Sequence, residues 1–170
     1  MTIHGDHPFL PPESERSPVR RLRGRLPSPV GLWTTSYDGK RAGLTVSSML
    51  VADGEPGFVV GLIDPDSDLW ETLREARTAV VSLLGSGHQQ LADAFGYVAP
   101  APGGPFRMID WTDTDWGPAP VGVTTWAGCR LVTPDPPEVG WSLQVQLEIA
   151  HVELLPDELP PLIHRRGRYL

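Results

Sequence analysis

A single cysteine and a single lysine in a chain of 170 residues remove several chemistries at once. Cys129 alone supports neither a disulfide framework nor a CxxC metal or redox pair, and it reads as a small buried hydrophobe on a strand. Lys40 stands against thirteen arginines, a bias of the kind a high-GC coding sequence produces. No apolar run approaches the ~18 residues of a membrane span. The beginning of the chain lacks the apolar core of a signal peptide, so a cytoplasmic protein is expected. No GxGxxG follows a strand, no Walker loop is present, no GxSxG elbow occurs, and the five histidines are scattered. A dinucleotide fold, a phosphate loop and a serine triad all lack footing. Redox or transfer chemistry would have to come from a borrowed cofactor.

Turn formers, by contrast, are plentiful: 18 glycines and 19 prolines predict many turns and few long helices. Apolar content of 40% and charged content of 21% are ordinary for one globular domain. The net charge of −7 is unevenly spread. Residues 1–26 carry five arginines against three acids, and the last seven residues carry three arginines and no acid. Residues 27–163 hold six cations against eighteen acids. Such an acidic body disfavours nucleic acid and anionic membranes, whose phosphates need lysine and arginine. The two basic ends are left to pair with that body or with a partner subunit.

Residues 1–18, rich in proline, serine and charge, are expected to form a flexible arm, with the domain over 19–170. His4 and His7 in that arm are not expected to bind a metal. "VRRLRGRLP" predicts a short helix closed by Pro27. "PVGLWTTSYDGKRAGLTVSS" holds two β-rich runs around Asp38-Gly39, a strong hairpin signal. "GFVVGLI" is a continuous apolar run that predicts a strand buried on both faces. In "DPDSDLWETLREA", Ser67 or Asp68 can cap a helix, Glu71 sits as in a capping box with Asp68, and Leu69, Trp70, Leu73 and Ala76 share a face. A strand over 78–84 and a short helix in "GHQQLADAFG" follow. Residues 97–120 have no period and predict a long functional loop or lid, whose Trp111 and Trp116 suit a subunit contact. "VTTWAGCRLVT" resumes strand. Trp141, Leu143, Val145, Leu147 and Ile149 then alternate with polar residues, and the phase slips at His151, which predicts a bulge. The expected fold is a mainly β, antiparallel barrel with short helices.

Two stretches carry candidate chemistry. Thr45, Ser47 and Ser48 place three hydroxyls beside Gly43. The plainer reading is an edge strand facing water; the functional one is a site for a flat, anionic cofactor approached closely by backbone. The start of the helix at Ser67 offers free N–H groups to a phosphate, although Asp64, Asp66 and Asp68 surround it. Its plainer reading is simple capping.

Taken in order, "PSPVGLWTTSYDGKRAGLTVSSM", "SDLWETLREARTAVVSLL" and the terminal "HRRGRY" resemble the flavin-reductase family of FMN-binding split barrels. The resemblance implies a split β-barrel homodimer that binds FMN or FAD and passes hydride from NADH or NADPH to the flavin, often for a monooxygenase. By match, Arg41, Ala42, Gly43, Leu44 and Thr45 would line the isoalloxazine, with Ser47 and Ser48 holding ribityl and phosphate. Leu62, Ile63, Asp64, Ser67 and Asp68 would border the phosphate, and Arg166, Gly167, Arg168 and Tyr169 would lie near the nicotinamide. No catalytic acid, base or metal is implied. The rival expectation is a non-catalytic split barrel that binds flavin or a deazaflavin.

Overall fold

The structure, a computed structural model, describes residues 12–156 and 159–170. Residues 1–11 of the expected arm, with His4 and His7, lie outside the described residues. Its last residues lead into a helix: Ser17 caps α1 (Pro18–Arg25), accepting the Arg20 N–H, and Pro18 occupies the first turn, where a missing N–H costs nothing.

A short β1 (Ser28–Pro29) leads into the hairpin of β2 (Gly31–Tyr37) and β3 (Lys40–Val46). Asp38 and Gly39 both adopt positive φ, 48° and 76°, the turn geometry that matches strand twist. β4 (Met49–Ala52) and β5 (Phe58–Ile63) form the next hairpin, then come α2 (Asp68–Ala76) and β6 (Thr78–Leu83). The remaining elements are α3 (Gln89–Phe95), β7 (Trp111–Thr114), β8 (Gly117–Pro120), β9 (Thr125–Leu131), β10 (Glu138–Val139), β11 (Ser142–Leu154), β12 (Ile163–Arg165) and β13 (Arg168–Tyr169). No helix among the described residues is long and apolar enough to cross a membrane.

The main sheet is antiparallel, ordered β3-β2-β6-β9-β11-β5-β4, with β10 beside β11. Its two end strands, β3 and β4, are consecutive in the chain and joined only through Ser47 and Ser48. Two residues span at most about 11 Å between flanking Cα atoms, so the sheet must roll up until its ends meet. The Leu62 N–H donates to Ser48 O at 2.9 Å, carrying the β4–β5 ladder up to that junction. Inside the roll, Trp33 fills the space left by Gly61, where an added Cβ would lie 2.7 Å from the indole. Trp33, Ile63, Leu69, Leu73, Val145 and Leu147 are fully buried in this core, which α2 plugs. A second core of Val30, Leu32, Leu91, Phe95 and Leu162 lies under α3 and the three-stranded sheet β1-β12-β13.

The phase slip at His151 is a bulge, with register shifting between Ile149 and His151 against β9. Several expectations change. β5 is not buried on both faces: Val59, Gly61 and Ile63 point inward while Leu62 is exposed, because β5 belongs to a single layer. Trp141 falls outside β11, in the turn after β10, and is 99% exposed. Ser67, not Asp68, caps α2, so Glu71 completes no capping box. Residues 97–120 are folded rather than lid-like: a turn at Pro105–Arg107 precedes the β7–β8 hairpin, and β8 is buried throughout. Trp111 donates its indole N–H to Phe106 O and meets the rings of Phe95 and Phe106, while Trp116 lies on Gly128 and stacks on His151. Both tryptophans pack within their own chain. Cys129 is buried and its thiol is pushed up to about 12 by desolvation, as suits a packed hydrophobe.

Candidate functional site

The seam of the rolled sheet gathers the candidate residues. Among the described residues β3 pairs only with β2, and it therefore presents backbone groups without ladder partners along its other side. The bend at Ser47–Ser48 ends that edge. Both serines are half-buried, and neither hydroxyl is hydrogen-bonded within the described residues. The bond from Leu62 N–H to Ser48 O places the end of β5, and with it Ile63 and Asp64, against the bend. Asp64 opens the loop to α2, whose first amides, at Asp68 and Leu69, have no intrahelical acceptor.

Other candidates are already committed. The Thr45 hydroxyl donates to Ala92 O of α3 at 2.7 Å. Gly43 faces Phe95: a Cβ there would stand 2.7 Å from the ring. Its missing side chain therefore accommodates α3, while Leu44, on the opposite face of β3, packs against the core plugged by α2. Ser67 Oγ donates to Asp64 O at 2.7 Å and accepts the Trp70 N–H, which occupies the hydroxyl. Arg41, near the far end of β3, pairs with Asp113 of β7 at 2.7 Å. The Asp64 carboxylate accepts the Asp66 N–H at 2.9 Å, and Asp66 and Asp68 are exposed.

The donor set, two uncommitted hydroxyls, an open strand edge and helix-terminal amides, suits the edge, ribityl chain and phosphate of a flavin. The three aspartates oppose the phosphate charge. One residue absent from the sequence reading enters here. Tyr97, with φ of 56° just after α3, has its phenol raised by burial and then by Asp68, with Lys40 opposing. Tyr97 therefore lies within electrostatic reach of the α2 start. No local pattern marked it, because its position depends on α3.

The terminal hairpin carries the remaining candidates. Arg166 and Gly167 make its turn, with φ of 52° and 75°, and the Arg166 N–H donates to Gly24 O of α1 at 2.8 Å. Arg166, Gly167 and Arg168 are exposed. Tyr169 is held inward: its phenol is pushed well up, first by burial and then by its hydrogen bond to Asp93. His164 meets the Tyr169 ring edge-on at 5.7 Å and is lowered by burial and by Arg23, against Asp93. Adjacent residues of α3 thus hold β3 and the terminal hairpin. Ala92 O fixes Thr45, and the Asp93 carboxylate fixes Tyr169.

Comparison with known proteins supplies the remaining evidence. A model of the flavin reductase like domain matches residues 23–170. FMN reductase (NADH) RutF 1 of Methylorubrum extorquens is 35% identical over 77 residues, 45% of this chain and 38% of that protein. The chain thus spans well under half the length of that curated relative. FMN reductase (NADH) RutF 2 of the same species is 31% identical over 131 residues, 73% of this chain and 71% of the relative. Among solved structures, nitrilotriacetate monooxygenase component B from Mycobacterium thermoresistibile superposes with a TM-score of 0.80 at 25% identity, covering 89% of this chain and 83% of that one.

Proposed function

Since the chain belongs to the flavin reductase like domain family, we propose that it is an NAD(P)H-dependent flavin reductase with its flavin at the β3–β4 seam. The observation that carries this reading is the bend at Ser47 and Ser48, whose hydroxyls are uncommitted and against whose backbone the Leu62 N–H sets the end of β5, within a chain matched by that family over residues 23–170. When bound, FMN or FAD would supply the hydride-accepting ring; NADH or NADPH would be the cosubstrate. The protein's part is to bind and orient. Ser47 and Ser48 hydrogen-bond ribityl or phosphate, the open edge of β3 faces the ring, and the α2 amides meet the phosphate. Arg166 to Tyr169 border the nicotinamide, with Tyr169 steadied by Asp93. Holding two rings in stacked register is the principal catalytic contribution asked of such a site. The relatives' names support FMN and NADH. The monooxygenase component among the structural neighbours supports reduced flavin being handed to an oxygenase; a cytoplasmic homodimer is part of the same proposal.

The test follows the fall of nicotinamide absorbance with FMN, FAD or riboflavin added to the purified chain. Turnover that requires added flavin supports the reading. A chain that retains flavin, or a deazaflavin identified by mass, yet never consumes NADH or NADPH would support the rival binding protein.

A further inference from the structure

Of the six tryptophans, five are buried or half-buried and one stands free: Trp141 is 99% exposed. It occupies the second position of a two-residue turn between β10 and β11, after Gly140 with φ of 61°. The pairs Glu138↔Leu143 and Val139↔Ser142 close that hairpin through backbone alone. The indole therefore contributes nothing to the core, and its whole apolar surface is left for something outside the chain to cover.

Register sets this ring beside the candidate site. β5 lies between β4 and β11. Its ladder with β11 ends at Leu143↔Ile63, and continuing it by one and two residues brings Ser142 level with Asp64 and Trp141 level with Pro65. On the other side of β5, the Leu62 N–H reaches Ser48 O. The serine bend, the loop into α2 and the Trp141 turn thus share one end of three neighbouring strands. With strands about 4.8 Å apart, the Trp141 turn lies roughly one strand spacing from that loop and roughly two from the bend. Ser142, next to it, is half-buried, and its hydroxyl has no hydrogen bond among the described residues. Asp64 and Asp66 are exposed, and no cation occurs between Arg41 and Arg74. A phosphate held here by amides meets a repulsive field, so strong binding has to draw on a group that charge does not oppose.

We propose that Trp141 is a stacking platform for the adenine of a flavin dinucleotide, and that the site therefore selects FAD over FMN. The inference rests on the flavin site proposed above. With the flavin phosphate at the α2 start, a dinucleotide carries its second phosphate past Asp64 toward the Ser142 hydroxyl and its adenine onto the indole. Stacking of a base on an aromatic side chain is indifferent to the aspartates and multiplies affinity roughly fivefold to hundredfold. FMN ends at its phosphate and riboflavin short of it, so neither reaches the turn. Trp141 is in this sense a specificity residue, with no part in hydride transfer.

Calorimetric titration of the full chain with FAD, FMN and riboflavin tests this. Wild type should bind FAD several-fold more tightly than FMN. Trp141→Ala should weaken FAD roughly fivefold to hundredfold and shift FMN and riboflavin less than twofold, and Trp141→Phe should recover most of the FAD affinity. The melting temperature should not move, since the side chain is 99% exposed. A wild-type chain that binds none of the three flavins would overturn the flavin site and this inference together. The inference alone is overturned if flavins bind but FAD has no advantage over FMN. The same holds if Trp141→Ala leaves FAD unchanged, weakens all three flavins equally, or raises only the KM for NADH or NADPH.

Discussion

Gly43→Ala separates two explanations of the small residues on β3. If Gly43 is small so that a cofactor can approach, alanine should weaken flavin binding and leave the fold undisturbed. The structure argues otherwise. A Cβ at this position would lie 2.7 and 2.9 Å from two Phe95 ring carbons and 3.2 Å from the Thr34 methyl. Phe95 is fully buried at the centre of the second core and cannot retreat without disturbing Phe106 and Trp111, whose rings it contacts at 4.9 and 5.8 Å. Overpacking of this kind costs about 1–3 kcal/mol. Reduced entropy of the unfolded chain returns about 0.4–1 kcal/mol for a glycine-to-alanine change in ordinary backbone. The net expectation is a loss of about 1–2 kcal/mol, or roughly 2–8 °C in Tm for a domain of this size. Denaturant melts measure it directly. Phe95→Leu in the Gly43→Ala background should recover part of that loss, so that the double variant is less destabilised than the sum of the singles. If Gly43→Ala melts like wild type and binds FMN much more weakly, the packing explanation is wrong and the cofactor explanation holds.

Three further outcomes are expected. Ser48→Asp should preserve the fold and weaken flavin binding by on the order of 1–4 kcal/mol, read by titration of intrinsic flavin fluorescence; unchanged affinity would take the bend out of the site. Asp66→Asn should raise FMN affinity about twofold to fivefold at low salt while leaving riboflavin unaffected, since it removes one screened repulsion of the phosphate; equal changes for both flavins would place the phosphate elsewhere. His164 is lowered from the ordinary 6.5 by burial and by Arg23, with Asp93 opposing, so the folded chain disfavours its charged form. As pH falls below 6.5 the unfolded chain takes up the proton first, and stability declines from there down through the folded value. Melting temperatures measured across that range should fall less steeply in His164→Gln, and identical slopes would show that His164 carries none of the effect.

Local chemistry made much of the fold legible. Asp38-Gly39 announced its hairpin because both positions need positive φ, and the slip at His151 announced its bulge because a period of two cannot change phase otherwise. The site was legible only in outline. Ser47 and Ser48 do meet the end of β5, but Thr45 and Gly43, which carry the same small or hydroxyl signature, turn toward α3. Sequence shows that a residue is small or polar, and tertiary packing decides what it faces. The stretch 97–120 looked aperiodic for a related reason: its order comes from Trp111 and Phe106 meeting Phe95 and from β8 lying on β2, through the Thr34 hydroxyl on Pro118 O at 2.6 Å. Such partners lie far away in the chain and leave no local period.

α3 holds Thr45 through one residue and Tyr169 through the next, so a seven-residue helix acts as a common fulcrum for strand and hairpin. Neither lever can be retuned alone. A substitution that tilts α3 away from β3 must also swing the terminal hairpin. If flavin and nicotinamide bind as proposed, selection for a bulkier flavin would therefore alter nicotinamide preference as a by-product. Compensating changes should be sought among Leu91, Ala92 and Phe95 rather than in β3 or the terminal hairpin.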